Sequence, residues 1–191
     1  MKDIQYFQNQ DLVLKVSKNY DTKRLNIEKY YPFLDAIHGP REYNKDAVVE
    51  TIIYLLGREY ENLKDLATEN YRQNPKLQEK YSSLDDFLKS LQLPNNLSCS
   101  LDLATGVGKS YIIYSISRIM LAEGAVDQVL VLCPSNTIEE GLTSKFKILS
   151  ADRDLKELLP GGSKILNPRI INASQTIKKG DICIENIHAT Y

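Results

Sequence analysis

The sequence predicts an α/β protein: a helical N-terminal region over residues 1–95, then, over 96–191, the first part of a domain built on a parallel sheet. Three observations carry that expectation. Up to about residue 92, apolar residues recur at spacings of three and four, the period of a helix face. After Pro94 the apolar runs become too short for helices, at Cys99 to Leu103, Val129 to Cys133 and Ile182 to Ile187. Between the first two of these runs lies a helical stretch, Ser110 to Glu123. Strand, helix, strand in that order is a βαβ unit, whose strands run parallel.

The helical stripes of the first half are Val48, Ile52, Leu55 and Leu56, then Leu63, Leu66 and Tyr71, then Leu84, Phe87 and Leu91. Breaks fall at Gly39-Pro40, Gly57, Asn74-Pro75 and Pro94-Asn95-Asn96, so these are short helices in series. The Ser110 to Glu123 helix presents Ile112, Ile113, Ile116, Ile119 and Met120 as its apolar side and ends at Gly124. A further helix opens at Ser135 or Asn136, where polar cap residues follow Pro134 and Glu139 and Glu140 occupy the first turn, and it runs to about Leu149. Asp152 to Leu159 reads as a short surface helix stopped by Pro160-Gly161-Gly162.

The 191 residues are 42% hydrophobic and 26% charged, which fits a globular chain and excludes disordered, collagen-like and disulfide-scaffold classes. Lys and Arg number 24 against 25 Asp and Glu, so no polybasic footprint points to nucleic acid and none excludes it. Cys99, Cys133 and Cys183 lie far apart, each in or beside an apolar run, and read as small buried side chains in a reducing compartment. The start, MKDIQYFQNQD, is too polar for a signal peptide, and no apolar run approaches the roughly 20 residues that span a bilayer. The expected location is the cytoplasm, with no membrane partner.

Leu103-Ala-Thr-Gly-Val-Gly-Lys-Ser110 carries the chemistry. Glycines let backbone N–H groups turn toward an anion without a Cβ in the way, and a helix starting at once aims its free N–H groups and positive end at the same phosphates. A lysine then reaches the β and γ phosphates, and a Ser or Thr hydroxyl holds Mg²⁺. Thr105, Gly106, Val107, Gly108, Lys109 and Ser110 are the nucleotide-binding candidates, with Lys109 as the catalytic cation, Ser110 as the metal ligand, and ATP with Mg²⁺ as cofactors. The strict GxxxxGK(S/T) pattern fails at its first glycine, where Leu103 stands. A helix N-terminus without a ligand is the alternative.

A loop of form xATGxGK(S/T) resembles motif I of superfamily 2 helicases and translocases, whose first glycine is often replaced. Gln128-Val-Leu-Val-Leu-Cys-Pro-Ser-Asn-Thr-Ile-Glu-Glu-Gly141 is similar to motif Ia of the type III restriction enzyme Res subunit group. Asp181-Ile-Cys-Ile-Glu-Asn-Ile-His-Ala-Thr190 is similar to the strand and turn that precede Walker B there. The resemblance implies a RecA-like ATP-binding domain of a DNA helicase or translocase. Its implied partners are ATP, DNA, the remainder of the motor and a modification or specificity subunit.

In such motors motif Ia touches the phosphodiester backbone. Ser135, Asn136 and Thr137 are suitable neutral donors, although a helix cap at Ser135 or Asn136 explains the same residues. Asn186 and His188 are placed by the resemblance on the nucleic-acid face, with a plain surface histidine as the alternative for His188. Lys145 reads most simply as a solvated charge. Arg41-Glu-Tyr-Asn44 resembles the upstream adenine-recognition motif, making Arg41 and Asn44 further nucleotide-binding candidates; the alternative for Asn44 is a helix cap. Asn44 is one methylene shorter than the family's glutamine. Its distance from the loop would make the helices of about Gly57 to Gln92 an insertion.

From Ser110 onward no apolar strand ends in a carboxylate pair such as DExH, and the chain reads as the N-terminal part of a longer motor. Without that pair and the arginines of a second RecA-like domain, hydrolysis by this chain alone is not expected. Two other classes stay open. One is a small-molecule P-loop kinase, for which the late arginines Arg153 and Arg169 do not cluster as a lid requires. The other is a non-catalytic nucleotide-binding or interaction module.

Overall fold

The computed structural model describes residues 12–172 and 174–190. The polar start, Met1 to Asp11, lies outside them. The described residues form two compact units: one of Ile53–Leu101 with the chain up to Leu25, the other of Asn26–Ile52 with the chain from Asp102 onward.

The first unit is helical, with α3 (Leu63–Gln73), α4 (Pro75–Lys80) and α5 (Leu84–Lys89). Each start is set by a side-chain cap: Asn62 accepts from the Asp65 amide, Asn74 from Lys76 and Ser83 from Asp86. Pro75 stands in the first turn of α4, where its missing N–H is harmless. Ala67, Leu77 and Phe87 make one core cluster, Tyr54, Tyr60 and Leu66 another. Buried Asn70 fixes the segment at Lys15 from both sides: its Oδ1 accepts the Lys15 amide at 2.7 Å and its Nδ2 donates to the Lys15 carbonyl at 3.0 Å.

The second unit holds α1 (Tyr31–His38), most of α2 (Glu42–Leu56), α6 (Lys109–Glu123), β1 (Val129–Cys133), α7 (Asn136–Ala151), α8 (Arg153–Glu157), β2 (Ile170–Ile171) and β3 (Ile182–Asn186). The expected α6 and its terminator agree with the sequence reading: Gly124, at φ 66°, closes the last turn. The three strands form a parallel sheet in the order β1-β3-β2, with Val129 opposite Ile182 and Cys133 opposite Asn186. Every residue of β3 is buried, as a central strand requires. On edge strand β1, Val131 and Cys133 are buried while Leu130 and Leu132 are exposed.

Several expectations need correction. Residues 99–103 form no strand, because no strand of the described residues pairs with them and a ladder needs a partner. The parallel sheet is built instead from β1, β3 and the two-residue β2. Cys99, in that unpaired segment, is exposed, whereas Cys133 and Cys183 are buried in the sheet. Ile113 is exposed, since the buried side of α6 runs through Ile112, Tyr114, Ser115, Ile119 and Leu121. By contact, α1 and most of α2 fall in the unit that holds the sheet.

Two charged side chains organise the sheet's margin. Arg118, almost fully buried on α6, donates through Nη2 to the Leu166 carbonyl at 2.8 Å. Arg169 grips buried Asp181 with Nε at 2.8 Å and Nη2 at 2.6 Å, and its guanidinium holds that carboxyl below the usual range. The bidentate pair fixes the start of β3.

Candidate nucleotide and nucleic-acid site

The loop before α6 turns at Gly106 (φ 82°) and Gly108 (φ 94°), both in the left-handed region that a Cβ disfavours. A Cβ on Gly106 would point into open space, while one on Gly108 would meet the Tyr111 ring at 3.3 Å. The loop's first internal bonds are those of Tyr111 and Ile112 to the Gly108 carbonyl. None of the N–H groups of residues 106–110 finds an acceptor among the described residues. Unpaired amides converging at the start of a 15-residue helix form an anion cradle. Thr105, Gly106 and Lys109 are exposed, and Lys109 has no carboxylate partner among the described residues. Among the same residues no cluster of three His, Cys, Asp or Glu side chains could hold a metal ion.

Asn44 lies against this loop. It sits in the first turn of α2, fully buried, and its Nδ2 donates to the Val107 carbonyl at 2.9 Å. That bond ties the loop to a residue 63 positions earlier. Its Oδ1 is buried without a hydrogen-bond partner. Its amide makes no helix cap; it acts on the loop backbone. Arg41, one turn earlier, is exposed. Asn44→Ala is expected to lower stability by about 1–3 kcal/mol, because the Val107 carbonyl loses its buried donor. Urea denaturation checks it, and a loss near zero would mean that the loop does not depend on the bond.

The helix behind the loop is held from two sides. On one, His38 at the end of α1 shares a 3.1 Å hydrogen bond between its Nε2 and Ser115 Oγ on α6. Burial, then the charges of Arg41 and Lys45, push the His38 pKa down to about 4. An imidazole kept neutral in the folded state contributes stability that is complete above the unfolded pKa near 6.5, and this is lost as pH falls from there toward 4. The expected fall is on the order of 2–3 kcal/mol. Urea midpoints at pH 7 and 4.5 check it against His38→Gln, which should lose less; parallel falls would assign the effect to other groups.

On the other side stands α7. Tyr114 meets Phe146 edge-on at 5.1 Å between ring centroids and shares a 3.1 Å hydrogen bond with Ser150. Lys145 Nζ donates to Ser110 Oγ at 3.1 Å and stands 4.6 Å from the centroid of the Tyr111 ring. Lys145 is therefore no solvated charge. The sequence signal for it was its place in a half-buried helical stripe with Leu142 and Leu149, spaced three and four apart.

The residues expected at the nucleic-acid face gather at the carboxyl ends of β1 and β3, which a parallel sheet brings to one edge. Ser135 caps α7, its Oγ accepting from the Ile138 amide. Asn136 Oδ1 accepts from Asn186 Nδ2, and Asn186 Oδ1 accepts from the His188 amide at 2.9 Å. Buried Asn186 thus latches the end of β3 to the start of α7. Thr137 and His188 are exposed, and the amides of Asn136 and Thr137 have no acceptor among the described residues.

Residues 39–191, more than half of the chain, match the family described as Type III restriction enzyme, res subunit. The chain belongs to the Res subunit family. No curated protein and no solved structure matches it. The Res match starts at Gly39, so it takes in Arg41 and Asn44 as well as the loop and both strand ends. A Res domain is a RecA-like P-loop fold, and this chain carries a helicase-like ATP-binding module. Among the described residues no helix is long and apolar enough to cross a membrane.

Proposed function

We propose that this chain is the N-terminal ATP-binding portion of an ATP-dependent DNA helicase or translocase of the Res type, acting in the cytoplasm with the rest of the motor and a modification or specificity subunit. The observation that carries the reading is the set of acceptor-free amides at 106–110, turned by two left-handed glycines into the start of α6 beside Lys109. Amides and Lys109 bind the phosphates of ATP, and the Ser110 hydroxyl would hold Mg²⁺. The metal supplies neutralisation of the triphosphate's charge.

Arg41 and Asn44 serve nucleotide binding, Asn44 through its bond to the Val107 carbonyl. The free amides of Asn136 and Thr137, with the Thr137 hydroxyl, bind the phosphodiester backbone of DNA, and Ser135 and Asn186 position that helix start. His188 lies at the same edge. Residues 1–95 act as a helical N-terminal region and 96–191 as a partial RecA-like domain, whose loop Asn44 of the N-terminal region serves through the Val107 carbonyl. Titration of labelled ATP with Mg²⁺ against the wild type and Lys109→Ala tests the reading, and equal affinities would remove it.

A further inference from the structure

Lys145 has an environment that its own contacts do not neutralise. The side chain is half-buried on α7, its ammonium rests on the Ser110 hydroxyl and the Tyr111 ring, and among the described residues no carboxylate comes within ion-pair reach. A partly desolvated cation is costly unless a charge of opposite sign meets it. The aromatic face supplies only part of that compensation. The neighbouring groups, Lys109 and the loop amides, are donors as well. The ammonium on Ser110 thus has a hydroxyl and an aromatic face for partners and no described carboxylate, and a phosphate is the anion that this loop is built to bring to it.

We infer that Lys145 is a second phosphate-binding cation of this loop and competes with the divalent metal for Ser110. The inference rests on the ATP-binding reading above. Repulsion between an ammonium and a divalent ion a few ångströms apart outweighs one hydrogen bond to a shared hydroxyl. Metal-free nucleotide is held by Lys109 and Lys145 together. With metal present, Ser110 would serve as its ligand and Lys145 would give up its bond to that hydroxyl.

The test uses the whole chain, a fluorescent ATP analogue with unlabelled ATP as competitor, and titrations in EDTA and in excess Mg²⁺, with circular dichroism to verify folding. Lys145→Met is expected to weaken metal-free binding by about tenfold while changing binding in Mg²⁺ by no more than about twofold. It should also lower the Mg²⁺ concentration at which the metal effect is half complete. Lys145→Arg, which keeps the charge, should retain metal-free binding. Equal losses with and without metal, or no change in either, would overturn the inference while leaving the ATP site intact, provided that Lys109→Ala still weakens binding in Mg²⁺. A wild type that binds no nucleotide under either condition overturns both.

Discussion

Lys109→Ala is expected to weaken ATP binding in Mg²⁺ by about ten- to hundredfold, the range for losing a charge-assisted hydrogen bond to phosphate. The side chain is exposed and touches no carboxylate of the described residues, so its removal should leave folding stability within about 0.5 kcal/mol. That separation makes the variant informative: binding falls while the melting curve stays in place. Lys109→Arg should lie between the two, because a planar guanidinium keeps the charge but does not reproduce the compact ammonium that a tight loop admits. Titration with a labelled nucleotide and a thermal melt of each protein measure both quantities. An alanine variant binding as tightly as the wild type would mean that the loop is only a helix start.

Phe146→Ala is expected to cost about 3–5 kcal/mol of stability, a large share of the roughly 5–15 kcal/mol that holds a domain folded. Its ring is fully buried and meets Tyr114 edge-on at the seam of α6 and α7. Truncation leaves a cavity between the helix that follows the loop and the helix that carries Lys145. Phe146→Leu, which keeps most of the volume, should cost less than about 1.5 kcal/mol. Urea denaturation with an unchanged slope distinguishes lost stability from lost cooperativity. A loss below about 1 kcal/mol for the alanine variant would show a seam able to collapse around the vacancy.

What the sequence made legible was local. A cap of α7 at Ser135 or Asn136, Gly124 as the end of α6, the break at Asn74-Pro75, and the strands β1 and β3 all follow from residues within one turn of the feature they set. The glycine loop was legible for the same reason, since its turn and its helix are contiguous. What escaped depends on partners distant in the chain. The run from Cys99 to Leu103 has the composition of a strand, but a strand also needs a neighbour, and composition cannot supply one. Two-residue β2 is shorter than any pattern. The bond of Asn44 to the Val107 carbonyl, and that of Lys145, read as a solvated charge, to the Ser110 hydroxyl, exist only through tertiary structure.

The bond from Asn44 to the Val107 carbonyl also bears on how the chain is made. A ribosome adds about 5–20 residues each second. The 63 positions between the two residues therefore correspond to about 3–13 seconds in which α2 has emerged and its loop does not yet exist. Throughout that interval Asn44, fully buried in the finished protein, lacks the loop carbonyl to which it donates. A nascent chain in that position is a target for holding chaperones and for early aggregation, and slower translation of the helical stretch between would lengthen the exposure. Stability measured on the completed protein would be unchanged, while yield in the cell would depend on the pace of synthesis.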